Sequence, residues 1–258
     1  MTPRLRGSKA RSVLDHARVA VIVPAYCEER LVGRMLARVP SGVDRIYVVD
    51  DASPDATSDA VRNAGDPRVV CLRHVENRGV GAAIVTGYRA ALRDGHDVLV
   101  VMAADDQMHP DDLAPLVRAV LAGADYAKGN RFVHAEARRM PLARRTAGRV
   151  LSWATRRATG LAVSDSQCGY TALSARAARA LPLGELWPRY GYPNDLLGML
   201  AARGFRVVDV AVRPVYADEK SGVRPWHALS VLGVVLRRYL RERASFQARA
   251  ARSTSSSA

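Results

Sequence analysis

Three apolar runs in this chain end in side chains that carry oxygen. VAVIV (19–23) is followed by Pro24, Tyr26 and Glu28, and RIYVV (45–49) by Asp50 and Asp51. DVLVVM (97–102) is followed by Ala103-Ala104-Asp105-Asp106-Gln107. The last group is a cluster of oxygen ligands with a gap at its start. Further along, Arg131 follows a fifth short run, YAKG, and supplies a guanidinium that can pair two oxygens at once. Asp195 in GYPNDLL adds another acid. Each of these has an ordinary explanation, since aspartate caps helices and stops strands. Their joint occurrence at the ends of three runs points instead to one polar ligand held by several segments.

Such residues need elements that bring them together. The runs at 19–23, 45–49, 68–72, 97–102 and 125–129 are short, apolar and rich in β-branched residues, as buried strands are. Between them lie stretches with helical spacing. CEERLVGRMLARV places Leu31, Met35, Leu36 and Val39 on one face, and SPDATSDAVRNAG has Ser53 or Asp55 near its start as a cap. Gly79 and Gly81 lead into AAIVTGYRAALRDG, and HPDDLAPLVRAVLAG follows the acidic cluster. This alternation predicts an α/β fold with a mostly parallel sheet covered by helices on both faces. In such sheets ligands bind outside the carboxyl ends of the strands, where the oxygen-bearing residues fall.

Beyond residue 130 the pattern loosens. A helix is expected over about 142–158, then comes SDSQCGYTALS without an assigned element, then a short helix ending near Leu181. Another helix is expected over about 193–203, and FRVVDVAVRPV reads as a late strand. The tail RPWHALSVLGVVLRRYLRER is apolar at its start and basic at its end, and STSSSA is low-complexity.

Composition narrows the function class. The chain has 258 residues and 48% apolar content, enough for one large domain. Its net charge of +14 is concentrated in residues 1–18 (+4), 134–157 (+6) and 220–258 (+7), which leaves the remainder at about −3. Basic segments attract phosphates of any origin: nucleic acid, anionic lipid or a phosphorylated substrate. Aromatics make up only 6% and do not interleave with the basic runs, which argues against nucleic acid. Cys27, Cys71 and Cys168 are far apart, which argues against a zinc site or a disulfide framework and fits a reducing compartment. No secretory signal and no apolar run of membrane-spanning length is expected. The fragment GVG (79–81) does not make a dinucleotide site, because that fingerprint belongs after the first strand, where this chain has PAYCEE.

The ordered motifs resemble those of glycosyltransferase family 2, nucleotide-sugar enzymes of the GT-A fold, and most of all its dolichol- and polyprenol-phosphate sugar transferases. IVPAYCEE is similar to I-P-x-Y-N-E-E, VVDDASPDAT to V-V-D-D-x-S-x-D-x-T, and NRGVGAAIVTGYRAA to N-x-G-x-G-x-A-x-x-x-G. VMAADDQMHPDDL stands for M-D-x-D-x-Q-x-x-P-x-x-L, KGNRF for a G-x-R segment, and SDSQCGYTALS for D-x-x-x-G-[FY]. The likeness runs from about residue 19 to 222. It implies a Rossmann-like nucleotide-binding half (19–130) and an acceptor half (131–222). A basic, flexible arm would precede them (1–18), and a basic amphipathic helix (223–246) and a disordered tail (247–258) would follow.

The resemblance also implies roles. Pro24, Tyr26, Glu28, Asp50 and Asp51 would line the nucleotide site, with Ala103 and Ala104 along the same ligand. Asp105 and Gln107 would hold Mg²⁺ or Mn²⁺ on the diphosphate, hard cations that prefer oxygen. Two residues apart at a strand end, they can face the same way. Arg131 and Lys220 would reach phosphate oxygens, with Arg144 and Arg145 as further candidates. Asp195 would act as a base or position the acceptor. A sugar hydroxyl needs a base, whereas a polyprenol phosphate is already anionic. The implied activity is inverting transfer from a UDP- or GDP-sugar to a polyprenol phosphate, by a cytoplasmic protein peripheral to an anionic membrane face. Transfer to a glycan hydroxyl, or a non-catalytic nucleotide-binding role, are the alternatives. Two departures stand out: Cys27 replaces asparagine, and Ala103 replaces the first aspartate of the D-x-D motif.

Overall fold

The computed structural model describes residues 17–215 and 231–242. The chain runs β1 (Val19–Ala25), α1 (Val32–Arg38), β2 (Arg45–Asp50), α2 (Thr57–Asn63), β3 (Val69–Arg73), α3 (Val80–Arg93), β4 (Val98–Val101), α4 (Leu113–Leu121) and β5 (Tyr126–Asn130). It continues through α5 (Leu142–Thr159), β6 (Thr171–Ser174), α6 (Ala175–Ala180), α7 (Tyr192–Ala201) and β7 (Val207–Ala211). Residues 231–242 form a last helix, α8. Of the segments expected from sequence, Lys220, the tail at 247–258, nearly all of the basic arm and the ends of the 223–246 helix lie outside the described residues.

The seven strands lie in the order β3-β2-β1-β4-β6-β5-β7. Pairs β1–β2, β1–β4, β2–β3 and β5–β7 are parallel, so the expected mostly parallel sheet is present. Val19 to Val23 have no exposed surface, which is why this run is apolar at every position rather than alternating. Its side chains divide between two cores. Val21 and Val23 pack with Met35, Leu36, Leu116 and Val117 on one face. Ala20 and Ile22 pack with Ile84, Tyr88, Leu196 and Leu200 on the other. Full burial of one such aliphatic side chain contributes about 1.5–3 kcal/mol, so the central strands form a stiff base for the loops at their tips.

The sheet contains one strand that the sequence reading does not assign. Thr171–Ser174 forms β6, antiparallel to both β4 and β5 and wedged between them. Its four residues carry no recognisable period, and the strand exists because two neighbours offer it ladders. Its reversed direction has a functional consequence. The segment that enters β6, residues 165–170, arrives at the same sheet edge as the carboxyl ends of β4 and β5. Tyr170 accordingly donates its hydroxyl to the His109 carbonyl at 3.2 Å.

Candidate active site

The strand order reverses at β1: β2 and β3 lie on one side, β4 on the other. Outside the carboxyl ends at such a switch point, diverging loops leave a crevice. The loop after β1 and the loop after β4 flank it, and the tip of β2 adjoins it.

The β1 loop is pinned from below. The Cys27 N–H donates to Ser53 Oγ at 3.0 Å and the Glu28 N–H to Thr57 Oγ1 at 2.8 Å. Pro24 and Glu28 are half-buried. Tyr26 is 48% exposed, so its ring is presented to solvent at the crevice. Cys27, where asparagine is usual, takes a positive φ of 59°, a region that asparagine tolerates better than most residues.

Asp50 and Asp51, both expected at the ligand, have different partners within the protein. Asp50 has no exposed surface. It accepts from the Ser53 N–H at 2.8 Å, from the Ser58 hydroxyl and from Arg73 Nη1 at 2.6 Å. Burial pushes its carboxyl pKa up, but the serine bonds and the Arg73 charge outweigh that and hold it below the usual range. Asp50 therefore supports the β2 loop from inside. Asp51, also buried, accepts from the N–H groups of Arg78 and Gly79 at 2.9 and 2.7 Å and faces His74 Nδ1 at 2.6 Å. It fixes the start of α3 rather than presenting an open carboxylate. The Arg78 side chain is exposed.

That loop in turn seats the segment 187–192. The Gly81 N–H donates to the Pro188 carbonyl at 2.8 Å. A Cβ on Gly81 would lie 2.3 Å from the Trp187 carbonyl oxygen, and one on Gly79, at φ 93°, would lie 2.5 Å from that of Pro188. These glycines are thus required by close backbone approach, not only by a turn. Gly81→Ala is expected to destabilise the fold by about 1–3 kcal/mol, the usual cost of overpacking. Urea unfolding checks this, and a midpoint equal to the parent's would contradict the packing.

After β4, Ala103 donates its N–H to Met108 Sδ at 3.2 Å, and Asp105 Oδ1 accepts from the Gln107 N–H at 3.1 Å. Asp105 and Gln107 are half-buried. Asp106 between them takes φ 57°, and its carboxylate is bound to α1: Arg34 Nε and Arg38 Nη1 each donate to it at 2.7 Å. It therefore does not fill the place left by Ala103.

At the tip of β5, Arg131 pairs with Asp165 through Nε at 2.7 Å and Nη2 at 3.0 Å, and Asp165 is fully buried. Burial raises the Asp165 pKa, but the Arg131 charge and hydrogen bond prevail and hold it low. Lys128 is also fully buried and donates to the Cys168 carbonyl, and its burial lowers the ammonium pKa. Arg144 and Arg145 are half-buried on α5. Nothing local in the D-x-x-x-G-Y segment marks a role for Asp165, because its partner is 34 residues away.

Asp195 lies in the first turn of α7 with no exposed surface. Arg238 of α8 grips it bidentately, Nε to Oδ1 at 2.7 Å and Nη2 to Oδ2 at 2.8 Å. The Trp187 N–H donates to Oδ2 as well, at 2.8 Å. Asp195, expected as a base or as a residue that positions the acceptor, joins α8, α7 and the 187–192 segment.

The residues present fit a cation of one particular kind. Among the described residues no group of three or more His, Cys, Asp or Glu is arranged to hold a metal. Asp105 and Gln107 alone offer one carboxylate and one amide oxygen from this loop. Mg²⁺ commonly binds through one or two carboxylates plus substrate phosphates, with water in the remaining positions. The donor set suits a cation that arrives with a diphosphate, not one caged by protein alone.

Comparison with known proteins identifies the family. The family model for glycosyl transferase family 2 matches residues 20–178, well over half of the chain. The chain belongs to glycosyl transferase family 2. Among relatives of this family-2 protein, undecaprenyl-phosphate mannosyltransferase of Micrococcus luteus is 35% identical over 208 residues, 76% of this chain and 82% of the relative. Polyprenol monophosphomannose synthase of Mycolicibacterium smegmatis is 31% identical over 224 residues, 84% of each chain. Glucosyl-3-phosphoglycerate synthase of Mycobacterium tuberculosis, solved with Mn²⁺ and UDP-glucose, superposes with a TM-score of 0.68 at 21% identity, covering 90% of this chain and 84% of that one. That likeness establishes the GT-A fold of the family-2 domain.

Proposed function

We propose that this family-2 glycosyltransferase moves a sugar from a UDP- or GDP-sugar to a polyprenol phosphate or related lipid-linked acceptor, with inversion. The acceptor oxygen attacks the anomeric carbon in line. The new C–O bond forms as the bond to the diphosphate breaks, and the nucleoside diphosphate leaves. Tyr26 and Glu28, with Pro24 beneath them, receive the nucleotide, and Asp51 holds the loop that borders it. Asp105 and Gln107 hold Mg²⁺ or Mn²⁺, which would neutralise the leaving diphosphate when bound. Arg131, fixed by Asp165, and Lys220 are assigned to phosphate oxygens. No helix of the described residues is long and apolar enough to cross a membrane. A polyprenyl phosphate presents its phosphate at a bilayer surface, where this enzyme would meet it.

The observation that carries the choice of acceptor is Asp195. With both oxygens engaged by Arg238 and Trp187, it favours an acceptor that brings its own negative charge. A phosphate monoester, with a second pKa near about 6, does so at neutral pH. The relatives named for polyprenol and undecaprenyl phosphate support the same choice. The test offers UDP- and GDP-sugars with Mn²⁺ to the enzyme, with a short-chain polyprenyl phosphate in one arm and the free polyprenol in the other. Sugar-phosphate-lipid should form only in the first arm. Transfer to the free alcohol, or to a glycan hydroxyl in its place, would contradict the proposal.

A further inference from the structure

Asp106 lies between the two residues assigned to the cation, yet its carboxylate belongs to another element. Arg34 and Arg38 stand one turn apart on α1 and so share a face. Arg34 takes one oxygen and Arg38 the other, both at 2.7 Å, and the acid keeps only 6% of its side-chain surface. The arginines themselves remain 60% and 38% exposed. Asp106 also holds φ 57°, a region uncommon for residues with a side chain. Across that turn Asp105 Oδ1 accepts the Gln107 N–H, so the conformation at 106 sets how residues 105 and 107 stand to each other. Helix α1, for its part, starts from the β1 loop: the Leu31 and Val32 N–H groups donate to the Glu28 carbonyl at 3.1 and 3.0 Å. The ion pair therefore ties the tip of β4 to the tip of β1 across the crevice.

We propose that Asp106 is a positioning residue: clamped by Arg34 and Arg38, it fixes the left-handed turn that aims Asp105 and Gln107 at a diphosphate-bound cation. This rests on the metal assignment under the proposed function. The clamp matters here because Ala103 contributes no third oxygen. With only two ligands from the loop, an error in their relative orientation has nothing to correct it.

The test titrates Mn²⁺ into the full chain in the presence of saturating UDP or GDP. It reads the Mn²⁺-dependent rise in melting temperature and free Mn²⁺ by electron paramagnetic resonance. Asp106→Asn and the double variant Arg34→Ala/Arg38→Ala should need roughly 10–100-fold more Mn²⁺ for half-saturation, the scale on which groups that orient metal ligands act. Nucleotide binding without metal should be unchanged in both. The arginine variant alters mainly exposed side chains and keeps the test open if Asp106→Asn folds poorly. Asp106→Gly allows the left-handed turn without the ion pair, and should be as impaired as Asp106→Asn. Wild-type Mn²⁺ half-saturation in the arginine variant, or restored half-saturation in Asp106→Gly, overturns the proposal and leaves the metal assignment standing. A parent chain whose nucleotide complex ignores Mn²⁺ overturns both.

Discussion

Turnover of the Asp105→Ala chain should fall roughly 10²–10³-fold, the loss seen when one preorganised stabiliser of developing charge is removed. A diphosphate leaves only if the charge that builds on its oxygens is countered. Under the proposed metal assignment the burden falls heavily on Asp105. Ala103 has no oxygen to offer, and the Asp106 carboxylate is held by Arg34 and Arg38 on α1. Gln107 supplies an oxygen dipole but no charge. Because Asp105 is half-buried at a loop, its replacement should leave the melting temperature close to the parent's, so the loss appears in turnover. Initial rates of sugar transfer and of donor hydrolysis, measured across Mg²⁺ and Mn²⁺ concentrations, check this. A variant that turns over within a few-fold of the parent would contradict the role given to Asp105.

Arg238→Ala should destabilise the fold by about 3–5 kcal/mol, the cost of leaving one member of a buried ion pair uncompensated. The side chains of Arg238 and Asp195 are 4% and 1% exposed, so little solvent can take over from the lost partner. Arg238 also donates to Glu242 at 3.2 Å and to the Glu185 carbonyl at 3.3 Å, and its neighbour Arg237 lies over the Trp187 ring. Its loss should therefore loosen α8 and the 187–192 segment together. Replacing both partners with apolar residues, as in Asp195→Leu/Arg238→Met, should recover most of that stability, because two well-packed apolar side chains need no counter-charge. Urea unfolding of the two single variants and the double variant measures this. The same double variant bears on mechanism. It should still glycosylate a polyprenyl phosphate, and complete loss of transfer in a stable double variant would return Asp195 to the role of base.

The fold up to about residue 130 was legible from the sequence because its signals are local. VAVIV, IYVV and VLVV are buried on both faces and so are apolar throughout, and each is followed within a few residues by polar side chains. The strand tips, the helices between them and the placement of Tyr26, Asp51 and Asp105 at one sheet edge all follow from that pattern. The fold beyond residue 130 was less legible because its order comes from distant partners. β6 is four residues long and owes its existence to β4 and β5. Asp165 reads as one acid in a polar stretch until Arg131 is beside it. Arg238 is one of four closely spaced tail arginines, and nothing local marks it as the one that meets Asp195. Asp50 and Asp51 look equivalent in sequence, yet one holds its own loop through Ser53 and the other holds the start of α3 through Gly79.

The proposed chemistry requires that a nucleoside diphosphate and a divalent cation bind together through Asp105. Calorimetric titration of UDP and GDP into the parent and into Asp105→Ala, each with and without Mn²⁺, measures this. Mn²⁺ should tighten binding of one nucleotide to the parent and leave its affinity for the variant unchanged, while metal-free affinity stays the same in both. Equal tightening by Mn²⁺ in parent and variant would contradict the account.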